Sequence, residues 1–242
     1  MKAFHNNPEL KAGLLRELLK HEAADAAIRG TYGTMGLSAR EFKGCAIGCA
    51  LNSLNLLNGQ FCPVPKPVSD HSRFPEELGI PLEIAFLIDH IFENLPDPYH
   101  KTFPRRVIEA VPVGADLSKI TSLLLNWMIL DPINGMISRA EPKLHPAYHR
   151  FAELVEWELT TPSPVTTTQW DQIESDLASC KAWTWAWAWT CTGAWTWSWA
   201  RGWARGWAGA WARGRAGSNV ASQTNNYKKL NEKLIELLSA AR

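Results

Sequence analysis

The sequence has no uncharged apolar run long enough to span a bilayer. Its first residues, MKAFHNNPELKAGLL, also lack the apolar core of a secretory signal peptide. Cysteine is scarce, with 5 among 242 residues, and an odd number argues against a framework of paired disulfides. We therefore expect a cytoplasmic protein with free thiols and no transmembrane segment.

Negative charge is missing from a large part of the C-terminal region. No acidic residue occurs between Asp176 and Glu232, whereas residues 177–231 carry seven basic side chains. Because the whole chain has a formal net charge of only +1, the remainder is mildly acidic. This asymmetry is compatible with a polyanion partner but does not establish one.

Several signatures of catalysis are missing as well. The chain has no glycine-rich phosphate loop, no Ser-His-Asp order and no paired-carboxylate motif. Asp89 and His90 are adjacent on a predicted helix and point in different directions, so a histidine–carboxylate pair needs a residue from elsewhere in the chain. These absences favour a protein that is not an enzyme.

Alternating strand patterns are not found before residue 160, whereas apolar residues recur at helical spacing. Asn7 can cap a first helix that begins at Pro8 and stops by Gly30. Further helices are predicted at about 45–57, 75–78, 81–95, 104–111, 117–130 and 143–159, and a short amphipathic helix carries Tyr227 to Leu238. We predict a mainly α fold with a helical body over 1–159, a Pro/Thr/Ser linker over 160–169, and a repeat tract and terminal helix over 170–242.

The predicted helix over 81–95 is amphipathic. Ile88 and Phe92 are expected in the core, and Glu83, Asp89 and Glu93 are expected in solvent.

An unusual repeat occupies residues 182–217, which read as nine consecutive four-residue units and hold ten of the 13 tryptophans. As a strand, the odd positions from 183 to 199 would share one face. As a helix, the tryptophans from 199 onward fall on one side, because residues four apart are displaced by only ~40°. We favour the helix, although each glycine in it weakens a helix by about 1 kcal/mol.

The tract admits four interpretations. It can be an expanded tandem repeat that packs on the body or on the terminal helix. It can be a surface for self-association or for a protein partner, because so many exposed tryptophans exceed the apolar patch of a normal monomer. It can lie at a membrane interface. It can also bind single-stranded nucleic acid through base stacking and phosphate contacts, with the binding residues Trp199, Arg201, Trp203, Arg205, Trp207 and Trp211.

The sharpest local motif is Lys43-Gly-Cys-Ala-Ile-Gly-Cys49. Cys45 is predicted near a helix N-terminus, where the helix dipole and free N–H groups lower the pKa of a thiol. A histidine base would then make Cys45 the nucleophile of a hydrolase or transferase, and His21 or His71 is the candidate base. The alternative is that both cysteines are small apolar residues at a helix crossing.

A metal site is weakly indicated. Cys45 and Cys49 lie one helical turn apart, but no second close cysteine pair follows, as it does in structural zinc sites. We therefore predict no metal and no cofactor.

Four segments occur in an order that resembles an uncharacterised family of bacterial and phage-borne proteins. They read KGCAIGCALNS at 43–53, HSRFPEELGIP at 71–81, LIDHIFENLP at 87–96 and EAVPVGADL at 109–117. The resemblance extends to KLIELL at 233–238, which follows an alanine-rich tract of variable length in that family. It implies a phage or prophage origin and a variable repeat region, and it implies no activity.

The sequence favours a non-enzymatic binding or interaction protein of unknown ligand, which acts through a pocket of the body or through the repeat tract. The alternatives are a cysteine-dependent enzyme that uses Cys45 with His21 or His71, and a protein that binds single-stranded nucleic acid through the tract.

Overall fold

A computed structural model of the chain describes residues 1–34, 41–59, 68–161, 166–177, 211–212 and 220–242. Within these residues the protein is mainly helical, and the only β-pairing is in isolated bridges, so the predicted fold class is confirmed. No helix in this part is both long and apolar enough to cross a membrane. The α-helices are α1 (Pro8–Ala23), α2 (Ala46–Leu57), α3 (Leu82–Asn94), α4 (Tyr99–Ala110), α5 (Ile120–Leu130), α6 (His145–Thr160), α7 (Thr167–Leu177) and α8 (Val220–Ala240).

The chain divides into two compact units, and the boundary after Asn226 falls within α8. The first unit contains Met1–Leu117 and Tyr227–Arg242, and the second contains Ser118–Asn226. The body over 1–159 and the linker over 160–169 stay predictions. In the linker range α6 ends at residue 160, α7 begins at residue 167, and residues 162–165 lie outside the described part.

The start of α1 follows from its local sequence. Asn7 Oδ1 accepts the backbone N–H groups of Glu9 at 3.0 Å and Leu10 at 3.1 Å, and Pro8 occupies the first helical position. The predicted stop at Gly30 is wrong. The chain already turns at Asp25, which has a positive φ of 50°, so α1 ends at Ala23.

Two predicted helix starts are also wrong. α4 begins at Tyr99, so Pro104 lies inside the helix and cannot donate the usual hydrogen bond to the His100 carbonyl. α8 begins at Val220, before the apolar stripe that marks Tyr227 to Leu238. In both cases the helix continues through residues whose pattern or chemistry does not favour it.

Helix α2 lies at the centre of the first unit, where it contacts α1, α3 and α4. Every residue from Ala46 to Asn55 is buried, including the polar residues Asn52 and Ser53. Because buried polar groups need partners, this helix gathers the polar side chains of its neighbours around it.

The C-terminal part of α8 completes the first unit. Leu230, Leu234 and Leu238 are fully buried there. Tyr227 Oη lies 3.1 Å from His90 Nε2 on α3, and both terminal guanidinium nitrogens of an α4 arginine, Arg106, donate to the Glu232 carboxylate at 3.1 and 3.0 Å. The short amphipathic helix predicted at the C-terminus thus finds the partner face that it needs.

Candidate functional site

The Gly-Cys-Ala-Ile-Gly motif allows the loop with Gly30, Thr31 and Tyr32 to cross the first turn of α2. A Cβ atom at Gly44 would lie 2.3 Å from the Tyr32 carbonyl oxygen, and one at Gly48 would lie only 1.6 Å from it. Both positions therefore require glycine. The Cys45 N–H donates to the Thr31 carbonyl at 2.9 Å. This crossing covers Cys45, which is fully buried.

A thiol and two carboxyl groups converge beneath this crossing. The Sγ atom of Cys45 and one carboxylate oxygen each from Asp89 and Glu93 all lie within 4.8 Å of one another. Asp89 and Glu93 are one turn apart on α3 and so share a face. The crossing loop adds donors, because the Gly30 N–H donates to Glu93 Oε2 at 2.7 Å and the Tyr32 hydroxyl to Asp89 Oδ2 at 3.5 Å.

His71 approaches the same place from the segment before α3. Its Nε2 atom lies 3.5 Å from Asp89 Oδ2, and its Nδ1 atom lies 3.1 Å from the Ser69 carbonyl oxygen. The ring stacks on Phe86 with 4.4 Å between centroids and meets Tyr32 edge-on at 5.5 Å. We refer to Cys45, His71, Asp89 and Glu93 as the thiol–carboxylate cluster.

The expected solvent position of Asp89 is wrong. Asp89 is 3% exposed, and Ile84 to Phe92 are all buried apart from His90, while Glu83 and Glu93 are half-buried. Helical periodicity assigns polar residues to solvent, but α3 is enclosed on nearly every side. The missed signal is the pair of carboxylates one turn apart in an otherwise apolar helix.

The predicted lowering of the Cys45 thiol pKa is wrong, because the surroundings of Cys45 raise it. Burial raises the pKa of the Cys45 thiol well above its ordinary value, and the charges of Asp89 and Glu93 raise it further. The helix start acts in the predicted direction, because the Gly48 N–H donates to Sγ at 3.5 Å, but it is outweighed. Burial likewise raises the pKa of Cys49 to about 12. Both thiols therefore stay protonated near neutral pH.

His21 lies elsewhere. Its Nε2 atom is 3.4 Å from Nδ2 of Asn52, which is two turns, or ~10 Å, along α2 from Cys45. Burial lowers the pKa of His21, partly opposed by Glu17. Of the two candidate bases, His71 lies beside the Asp89 carboxylate, whereas His21 lies beside Asn52.

A second buried polar group lies further along α2. Arg73 is 3% exposed, and its guanidinium donates to Glu77 at 2.7 and 3.3 Å and to Asn55 Oδ1 at 2.8 Å. We refer to Asn55, Arg73 and Glu77 as the arginine cluster. Its positive charge is matched by a carboxylate with good hydrogen-bond geometry.

Most of the predicted tryptophan and arginine binding residues lie outside the described part of the chain, namely Trp199, Arg201, Trp203, Arg205 and Trp207. Trp211 is described and is 1% exposed. Within the second unit its Nε1 donates to the Asn134 carbonyl at 3.1 Å, and its ring lies 5.3 Å from that of Trp127. This tryptophan is a core residue and offers no open face for stacking.

No family model, curated protein or solved structure matches the chain. The resemblance to the phage-borne family stays a prediction. The chemistry of the site is therefore inferred from the contacts and burial of its residues alone.

Proposed function

We propose that this chain is a non-enzymatic binding protein whose ligand centre is the thiol–carboxylate cluster of the first unit. The observation that carries this proposal is the environment of Cys45. Its thiol is fully buried and has two carboxyl groups within 4.8 Å, so the arrangement presents ligand atoms to one another rather than a nucleophile to a substrate.

The competing hypothesis of a cysteine-dependent enzyme is less well supported. A nucleophilic cysteine needs an accessible thiolate, which a positive neighbour or a base stabilises. Around Cys45 the charged neighbours are carboxylates, which disfavour the thiolate. The nearest acidic group to His71 in this cluster is Asp89, with Nε2 and Oδ2 3.5 Å apart, and an imidazole beside a carboxylate is not placed as the base of a cysteine nucleophile.

Nucleic-acid binding through the tract has no supporting contact among the described residues. Trp211 is buried and its indole N–H is hydrogen-bonded. The described residues that support our binding proposal lie in the first unit.

The proposal is tested by alkylation of the native full-length chain with iodoacetamide at neutral pH, followed by mass spectrometry of each cysteine peptide. We expect Cys45 to react at least about a hundred times more slowly than in the urea-unfolded chain, because only the exposed thiolate reacts. Cys49 is the internal control, since it is equally buried without carboxylate neighbours in the cluster. Labelling of native Cys45 faster than that of the unfolded chain would contradict the proposal and restore the enzyme hypothesis.

A further inference from the structure

Three ligand atoms of the thiol–carboxylate cluster lie close to one another, and the fourth, His71 Nε2, lies beside one of them. Zinc-class ions bind nitrogen and oxygen at ~2.0–2.1 Å and thiolate sulfur at ~2.3 Å, so neighbouring ligands of a tetrahedral ion lie ~3.3–3.5 Å apart. The Cys45, Asp89 and Glu93 ligand atoms lie within 4.8 Å of one another, so binding of one ion requires them to approach by up to about 1 Å. His71 Nε2 and Asp89 Oδ2 are already 3.5 Å apart.

His71 supplies an independent indication of a ligand. The Ser69 carbonyl can only accept a hydrogen bond, so the Nδ1 atom, 3.1 Å away, carries the proton in the neutral ring. The lone pair then lies on Nε2, in a residue that is 5% exposed, and no hydrogen bond reaches that atom. A buried lone pair beside a carboxylate oxygen is unfavourable, and a cation between the two atoms makes both of them ligands.

The surrounding contacts hold these ligands in place. Phe86 and Tyr32 fix the plane of the His71 ring, and the Ser69 carbonyl fixes its tautomer, as partners of metal-binding histidines commonly do. The Gly30 N–H and the Tyr32 hydroxyl donate to Glu93 and Asp89 respectively. Each carboxylate thus has one hydrogen-bond donor that orients it.

We propose that Cys45, His71, Asp89 and Glu93 bind one divalent transition-metal ion of the zinc class. This inference rests on the proposed function, because it names the ligand of the same cluster. The thiolate and imidazole favour zinc, cobalt or iron over magnesium and calcium, which prefer oxygen ligands alone. Binding converts the Cys45 thiol to a metal thiolate and releases its proton to solvent.

The test is a titration of the full-length chain, first stripped of metal with a chelator, with Co²⁺ as the spectroscopic probe. We expect one equivalent to bind and to produce the near-ultraviolet absorption of a cobalt–thiolate bond. Zn²⁺ should displace the cobalt and remove this absorption, whereas excess Mg²⁺ should leave it unchanged.

Matched variants assign the ligands. Cys45→Ala should abolish the cobalt–thiolate absorption, and Cys49→Ala, which removes the buried cysteine one turn further along α2, should retain it. Asp89→Asn and His71→Gln conserve side-chain size and should each weaken Zn²⁺ affinity by about tenfold or more. If circular dichroism shows that Cys45→Ala does not fold, the zinc affinities of these two variants test whether the cluster binds the ion.

The absence of stoichiometric cobalt binding would overturn the inference, and so would a thiolate signal that persists in Cys45→Ala or an unchanged zinc affinity in both polar variants. Failure here is distinguishable from failure of the proposed function. An unreactive Cys45 with no metal leaves a binding protein with another ligand, whereas a rapidly alkylated Cys45 removes the binding proposal itself.

Discussion

Two buried polar clusters lie beside α2, and they differ in how their charges are balanced. In the arginine cluster, Arg73 donates three hydrogen bonds of 2.7 to 3.3 Å to Glu77 and Asn55. In the thiol–carboxylate cluster, a thiol and two carboxyl groups lie within 4.8 Å of one another, and Asp89 also lies 3.5 Å from an imidazole nitrogen that has no hydrogen bond. The arginine cluster thus pairs opposite charges, whereas the thiol–carboxylate cluster brings two acidic side chains and a thiol together.

This difference separates a structural role from a binding role. A buried charge pair with good geometry fixes the packing of its elements, and loss of one partner leaves the other unpaired. Two carboxylates held close together in the interior repel each other, which lowers the free energy of unfolding unless a cation binds between them. We therefore propose a role in stability for the arginine cluster and a role in binding for the thiol–carboxylate cluster.

The largest effect is expected from Arg73→Met in the arginine cluster. The variant leaves Glu77 and Asn55 without their buried partner, so we expect the free energy of unfolding to fall by about 3 kcal/mol or more. Urea unfolding followed by circular dichroism measures this loss.

Arg106→Met is the matched control, because Arg106 also donates two hydrogen bonds to one carboxylate but does so near the surface, where side-chain exposure is 30% for Arg106 and 57% for Glu232. Its loss should cost less than about 1 kcal/mol. Equal losses in the two variants would contradict the structural role of the buried cluster.

A smaller effect is expected from Gly48→Ala, which disturbs the loop that covers the thiol–carboxylate cluster. The new Cβ would lie 1.6 Å from the Tyr32 carbonyl, so the crossing loop must move away. We expect a loss of about 1–3 kcal/mol and faster alkylation of Cys45, measured by urea unfolding and by peptide mass spectrometry.

The control for this change is Gly13→Ala on α1, where the added atom meets only flexible side-chain ends, those of Leu57 at 3.0 Å and Arg16 at 3.6 Å. Its effect should stay within about 1 kcal/mol, because improved helix propensity offsets the contact. If Gly48→Ala leaves both stability and the Cys45 labelling rate unchanged, the loop does not seal the cluster as described.

The smallest effect concerns His21, which bonds Asn52 between the two clusters along α2. Burial lowers the pKa of His21 in the folded protein, so the unfolded chain binds a proton first as the pH falls through about 6.5. The folded protein therefore loses stability on acidification. His21→Gln should reduce the decrease in the free energy of unfolding between about pH 7.5 and 5.5 by less than about 1 kcal/mol.

Unfolding midpoints in urea at the two pH values measure this change, with the exposed His149→Gln as the control. His100, whose pKa is also lowered by burial, retains part of the acid sensitivity. A His21→Gln variant that loses more stability on acidification than the unmodified chain would contradict the assigned direction.

The sequence predicts the helices well where local signals determine them. The Asn7 cap and Pro8 start α1 as expected, and the apolar stripe with Leu230 and Leu234 identifies the buried face of α8. Pro104 shows the limit of such signals, because helical context carries α4 through a residue that normally marks a boundary.

The site could be predicted only in part. The motif with Cys45 and its flanking glycines is visible in the sequence, and His71, one of the two candidate bases, lies 3.5 Å from Asp89. Asp89 and Glu93 are missed, because periodicity cannot reveal that α3 is enclosed on nearly every side. The pKa of Cys45 is raised, and not lowered as the sequence predicts, because of burial and of these two carboxylates. Both causes depend on the tertiary structure and cannot be inferred from local sequence.

X-ray absorption at the zinc edge of the metal-loaded full-length chain shows whether Cys45 is a ligand of the bound ion. We expect a shell with one sulfur at about 2.3 Å and nitrogen or oxygen ligands at about 2.0–2.1 Å, and we expect Cys45→Ala to remove the sulfur. A bound zinc with no sulfur ligand, with several sulfur ligands, or with the same shell in Cys45→Ala would contradict this expectation.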